Sequence, residues 1–144
     1  MDTAIERDNS CFCCGVENDR GFHLEFAYPV EGEAESFLLV PEWCAGWKGV
    51  THGGFLTMLM DELMAHACVA YAASAVTAEM STKFLKPVPT GSTIRVVGRA
   101  ERPRGRVIST RGWIYSTEGL VMAEATARFI VTGKKEGREE APAG

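Results

Sequence analysis

The stretch of this chain best equipped for chemistry is Thr51-His52-Gly53-Gly54, with Asp61 nine residues beyond the histidine. It heads a long apolar run, Phe55 to Ala73. A carboxylate inside a buried apolar helix is costly unless it has a partner or a task. Two glycines at the head of such a helix leave its first backbone N–H groups open to a ligand, because the opening turn holds no acceptors for them. Open amides polarise a carbonyl and stabilise an oxyanion. A carboxylate activates water as a general base or attacks as a nucleophile. Together they describe an acyl-transfer site. The same residues also fit a plainer role for Asp61, pairing with a neighbour to fix register.

Helix geometry complicates the first reading. With the helix starting near Gly53, Asp61 lies about two turns in, about 12 Å along the axis. The Gly53 amide and the Asp61 carboxylate of one chain are then too far apart to hold one carbonyl. Two helices packed antiparallel about a two-fold axis would bring the start of one to the mid-helix acid of the other. The spacing therefore predicts a site shared across a homodimer. Glu62 is the rival acid. It points about 100° away around the helix and sits four residues before His66, a spacing that suits a Glu62–His66 pair.

The elements that must position these residues are read from periodicity. Apolar residues at 55, 56, 59, 60, 63, 64, 67, 68 and 71 have helical spacing. With 58, 65, 69, 70 and 72 apolar too, the expected helix over about 53–73 is apolar nearly all round and belongs in a core. Strands are expected at about 23–28 and 33–40, with a loop over 42–51 that carries Trp43, Cys44 and Trp47. After the helix the period becomes two: 75–85, 93–100, 106–115 and a last strand with Val121, Ala123, Ala125, Ala127, Phe129 and Val131 on one face. The order reads as strands, one buried helix, then four strands in a meander, a sheet wrapping the helix. Residues 1–22 read as a polar N-terminal extension and 133–144 as a charged, Pro/Gly-rich flexible tail.

The bulk numbers fit one domain over 1–144, with 46% apolar residues and a net charge of −4. The charge speaks against nucleic acid as the main partner. Four charges and no apolar core in the first ten residues give no secretory signal. Asp61, Glu62 and His66 interrupt the apolar run, so no membrane span is expected and a cytoplasmic location is the default. Five scattered cysteines fit reduced thiols. Cys11 and Cys14 form a C-x-x-C pair with Cys13 and His23 nearby, but there is no second pair. That is too few ligands for a structural zinc, so no metal is expected and the cysteines read as packing residues. Eight of the fifteen Lys and Arg lie between Lys83 and Arg111, against the single acid Glu101. The cluster is either an anion site or the solvent face of strands. Trp43 and Trp47 read as packing residues, or as contacts to an aromatic or bulky ligand.

The His52-Gly53-Gly54 motif with Asp61 nine beyond it, together with Val76-Thr77-Ala78-Glu79-Met80-Ser81-Thr82-Lys83-Phe84-Leu85-Lys86-Pro87-Val88, resembles the hotdog-fold acyl-CoA thioesterases of the PaaI-like branch. Cys11–Gly15 and Asn18–Leu24 are similar to an N-terminal extension seen in many members. The resemblance covers about residues 11–132. It implies an α+β hotdog fold, an antiparallel sheet wrapped around one long buried helix, in a homodimer or a dimer of dimers. It implies hydrolysis of acyl-CoA with no cofactor beyond the coenzyme A of the substrate, and no nucleic acid or membrane partner. It further implies that Asp61 is the catalytic carboxylate and Gly53 the oxyanion amide. His52 would shape the start of the helix, and Thr77 would position water. Gly54, Glu62, Lys83, Phe84, Lys86, Arg104 and Arg106 are then candidate substrate contacts, the basic ones facing the CoA phosphates. Many members carry Asn six residues before the motif histidine; Gly46 stands there in this chain. A non-catalytic acyl-CoA-binding protein of the same fold is the alternative.

Overall fold

The computed structural model describes residues 9–135. Its elements are β1 (Glu33–Leu39), a 3₁₀ turn (Glu42–Cys44), β2 (Ala45–Trp47), β3 (Val50–Thr51), α1 (Gly53–Ala67), a second 3₁₀ turn (Cys68–Ala70), β4 (Ala72–Phe84), β5 (Thr93–Ala100), β6 (Val107–Ser116) and β7 (Val121–Lys134). Five strands form one antiparallel sheet in the order β1-β5-β6-β7-β4; β2 and β3 make a small ribbon at the head of the helix.

The expected helix wrapped by a sheet is present, with four corrections. The four-strand meander is three strands, β5 to β7. Strand β4 instead crosses over to pair with β7, Lys83 opposite Glu124 and Thr77 opposite Phe129. The helix ends at Ala67 rather than at 73. Cys68 and Ala72 are buried in the turn and in the first residue of β4, so the apolar pattern continues where the helix does not. No strand runs over 23–28: His23 takes a left-handed φ of 50°, which ends extended pairing, and only Ala27 bridges to Glu35. Finally, Gly133 and Lys134 belong to β7, whereas 136–144 of the expected tail lie outside the described residues.

The all-round apolarity of α1 has a structural cause. One face, Leu56, Leu59, Met60, Leu63, Met64 and Ala67, is buried against the sheet, whose inward residues include Ile94, Val96, Ile108, Ile114 and Phe129. The other side is covered in part by the N-terminal segment, which is no loose extension. Phe22 packs on Phe55 at 5.2 Å between ring centroids, Phe26 stacks on His66 at 3.7 Å, and Cys13 and Leu24 are buried.

Two glycines seat the helix. Gly98 of β5 and Gly112 of β6 lie opposite each other. A Cβ on Gly98 would stand 2.3 Å from the backbone carbonyl of Leu63. The helix backbone rests directly on the sheet there, and no rotamer change relieves such a clash. Gly98→Ala is expected to cost about 3 kcal/mol of stability, the upper range for overpacking, read as a lowered denaturant midpoint. At Gly112 the neighbours are Met60 and Met64 side chains at 3.3 Å, which can yield, so Gly112→Ala costs less.

Candidate active site

His52 caps α1. Its backbone is extended, and its Nδ1 accepts the Gly54 N–H at 2.8 Å, so the ring is held across the helix mouth. The close fit explains the residues around it. A Cβ on Gly54 would press on this ring at 3.0 Å, and one on Gly46 would meet the His52 Cα at 3.0 Å. The space an Asn would fill six residues before the histidine is therefore occupied by the histidine itself. Gly53 is the first residue of the helix, and among the described residues its N–H has no acceptor. The Phe84 ring stands over it, 3.2 Å from where a Cβ would be, and remains 55% exposed. Trp47, 82% exposed, lies in the ribbon leading to the same mouth.

Asp61 is half-buried on α1. Its Oδ1 accepts the Thr77 hydroxyl of β4 at 2.6 Å, and among the described residues Oδ2 has no protein donor. Burial raises the Asp61 pKa above the usual carboxylate range, the Thr77 hydrogen bond opposes this, and the neighbouring Glu62 charge adds to the rise. Desolvation makes the carboxylate a stronger base, and the free Oδ2 leaves it an oxygen to use.

Glu62 is turned away from this site. It meets His66 Nε2 at 3.2 Å through Oε1, as the spacing predicted, and accepts the Cys14 thiol at 3.4 Å and the Cys11 thiol at 3.9 Å. Burial pushes its pKa up, but the His66 and cysteine contacts outweigh that and leave it lowered. Glu62 is thus an ionised partner of the N-terminal segment, held away from the Asp61–Thr77 pair. In the same cluster, burial and the Cys11 and Glu62 contacts push the Cys14 thiol up to about 12, so it is a donor to that carboxylate. Sequence spacing missed this convergence because its two halves lie about fifty residues apart.

The basic cluster divides. Lys83 and the Lys86 beyond it are exposed at the Phe84 end of β4. Arg104 and Arg106 lie in the β5–β6 turn, and Arg106 donates to the Val131 carbonyl at 3.0 Å. Val131 pairs with Ala75 near the other end of β4. Lys83 and Ala75 are eight residues apart on that strand, about 26 Å, so one chain does not bring the four cations together. Arg95, Arg99 and Arg111 lie over the rings of Tyr115 and Trp113, with Arg95 and Arg99 also paired to Glu35 and Glu33. They make up a partnered outer face of the sheet. A concavity of about 660 Å³, lined by Tyr71, Arg106, Val131, Lys134 and Lys135, is at that far end, away from Asp61.

Comparison with known proteins agrees with this fold. The Thioesterase superfamily family model matches residues 48–123, which hold the helix mouth, Asp61 and Thr77. The acyl-coenzyme A thioesterase THEM4 of Xenopus laevis is 29% identical over 86 residues, 59% of this chain and 39% of that protein. An uncharacterized Schizosaccharomyces pombe protein is 26% identical over 62% of this chain and 54% of its own. The chain thus spans two fifths to about half the length of these curated relatives. Among solved structures, the Streptococcus mutans protein smu.793, bound to acetyl CoA, superposes with a TM-score of 0.74 at 22% identity, over 84% of this chain and 98% of that one. PaaI of E. coli, from the phenylacetic acid degradation operon, superposes with a TM-score of 0.72 at 20% identity, over 78% and 81%. The wrapped helix is the hotdog fold of these structures, and this chain belongs to the thioesterase superfamily.

Proposed function

We propose that this protein hydrolyses an acyl-CoA thioester to a free acid and CoA at a site completed across a homodimer. The observation that carries the reading is the half-buried Asp61 carboxylate, hydrogen-bonded by Thr77 on one oxygen and open on the other. Water bound at Oδ2 gives its proton to Asp61 and attacks the thioester carbonyl. The Gly53 N–H of the second subunit stabilises the oxyanion. The C–S bond then breaks, and the proton held by Asp61 passes to the leaving thiolate. The general-base form is preferred to a covalent one because Thr77 fixes Oδ1 and leaves room for water on Oδ2.

The shared site is supported by β4. Among the described residues this strand of thirteen residues pairs only with β7 and presents its other edge unpaired, an open template for a second copy. Thr77 lies near its middle, so the dimer seam would pass beside Asp61; a dimer of dimers extends the same reading. Exposed Phe84 and Trp47 at the helix mouth would take the acyl or pantetheine portion, and Lys83 and Lys86 the phosphates. Among the described residues no helix is long and apolar enough to cross a membrane, and all five cysteines are free thiols, which supports a cytoplasmic setting.

A thiol-release screen over short, long and aromatic acyl-CoAs tests the proposal. Release with at least one class is expected. Acyl-CoA binding with no release would favour the binding-protein alternative, whose supporting observation is Gly46 in place of a polar residue beside His52.

The pH profile offers a second check. Asp61 must be ionised to accept a proton, and burial raises its pKa, so the rate falls as pH drops through a midpoint above the usual carboxylate range. Thr77→Val removes the contact that lowers this pKa. Its acidic limb is expected to move to higher pH, measured as kcat/KM against pH.

A further inference from the structure

We propose that Cys11, Cys14, Glu62 and His66 form a structural metal site for a thiophilic divalent ion such as zinc, clamping the N-terminal segment to the helix that carries Asp61. The ligand atoms of Cys11, Cys14 and Glu62 all lie within 4.8 Å of one another. His66 Nε2 is 3.2 Å from Glu62 Oε1. Zinc bonds of about 2.3 Å to sulfur and about 2.0 Å to oxygen or nitrogen at tetrahedral angles place S and O about 3.5 Å apart, and N and O about 3.3 Å. The observed separations are 3.4 Å for Cys14 to Glu62, 3.9 Å for Cys11 to Glu62 and 3.2 Å for His66 to Glu62. Three donors of types zinc takes thus stand at the spacings of a first coordination shell, and His66 adjoins them through Glu62 as the fourth.

The surroundings are built to hold them. Gly15 folds the chain back directly after Cys14, donating to the Cys11 carbonyl at 2.7 Å. A Cβ there would lie 2.3 Å from the Asn9 carbonyl oxygen, so a larger residue would open the loop and separate the two sulfurs. Behind His66, Nδ1 lies 2.9 Å from the Tyr28 hydroxyl and the ring stacks on Phe26, fixing its orientation as ligating histidines require. Glu62 and His66 are 17% and 11% exposed, which leaves an entry path. Binding is balanced chemistry: the ion replaces two thiol protons, which go to solvent, while Glu62 is already ionised. Two positive charges arrive and two leave, so the field at neighbouring Asp61 changes little and the role is structural.

The test uses the full chain, purified under reducing conditions, stripped with chelator and titrated with zinc and separately with cobalt. About one ion per chain is expected, with thiolate-to-cobalt charge-transfer absorption and the intense visible bands of a tetrahedral site, and zinc should raise the melting temperature. Cys11→Ser and Cys14→Ser should each abolish the charge-transfer change and the zinc-dependent shift. Tyr28→Phe should weaken zinc binding by about 10-fold to 100-fold, and Cys44→Ala should bind like the parent. No charge-transfer band in the parent, or cysteine variants that bind like the parent, would overturn the proposal. Should a cysteine variant fail to fold, Glu62→Gln replaces it, with weakened binding expected and unchanged binding counting against the site. None of these readouts depends on thioesterase activity.

Discussion

Asp61→Asn is expected to lower kcat/KM for thioester hydrolysis by about 10³-fold, within the range of a lost general base, while the protein melts at the same temperature or higher. Both halves follow from the same burial. Asn keeps an oxygen for the Thr77 hydroxyl but cannot take a proton from water. Its neutrality also removes a cost to the fold. The Asp61 pKa is raised in the folded protein, so the folded state binds the proton more tightly than the unfolded chain. Stability is then greatest below the unfolded pKa and declines as pH rises through the folded one. At neutral pH the parent carries that loss and the variant does not. A functional residue that destabilises its own fold is a common trade. Near-normal turnover in Asp61→Asn would refute the assignment. Unchanged activity after Glu62→Gln would separate the two acids. A single turnover in isotopically labelled water adds the mechanism: label in the first acid released marks direct attack by water, and its absence marks a covalent intermediate on Asp61.

The sequence exposed the parts of this site that depend on local chemistry. A histidine before two glycines, a helix-period apolar run and one acid inside it are readable because each restricts the chain within a turn or two. The faces of β7 were legible for the same reason: alternation from Val121 to Val131 states which side chains are buried. What was not legible is who meets whom. Periodicity assigns β4 its strand character but not its pairing with β7, which makes it a sheet edge. Gly98 looked like any strand glycine, and only the Leu63 backbone lying on it shows why it is there. The contacts of Cys11 and Cys14 with Glu62 were hidden because that carboxylate arrives from α1, about fifty residues away. The apolar residues after Ala67 were read as more helix because a buried turn and a buried strand start satisfy the same composition. The basic residues likewise looked like one cluster until the fold set Lys83 and Lys86 apart from Arg104 and Arg106 and paired Arg95 and Arg99 with Glu35 and Glu33.

The proposed dimeric site leads to the second large effect, and Gly53→Pro isolates it. Gly53 is the first residue of α1, where proline is well tolerated because that N–H has no intrahelical partner. The preceding His52 is already extended, with φ −61° and ψ 131°, as a residue before proline must be. The one neighbour in the way is the tip of the Phe84 ring, which is largely exposed and can shift. The substitution therefore deletes a single donor and leaves the helix. A loss of about 10²-fold to 10³-fold in kcat is expected, as for other oxyanion donors. Mixing Gly53→Pro with Asp61→Asn then reads the architecture. In a mixed dimer one site joins the defective amide to the defective acid, and the other joins the intact Gly53 of one subunit to the intact Asp61 of its partner. Equal mixing should restore about a quarter of parental activity, because half of the dimers are mixed and each holds one good site. A site contained within one chain predicts no recovery at any ratio. That outcome would contradict the 12 Å separation by helix rise from which the shared site follows, since about two turns of helix stand between the amide and the acid of each chain.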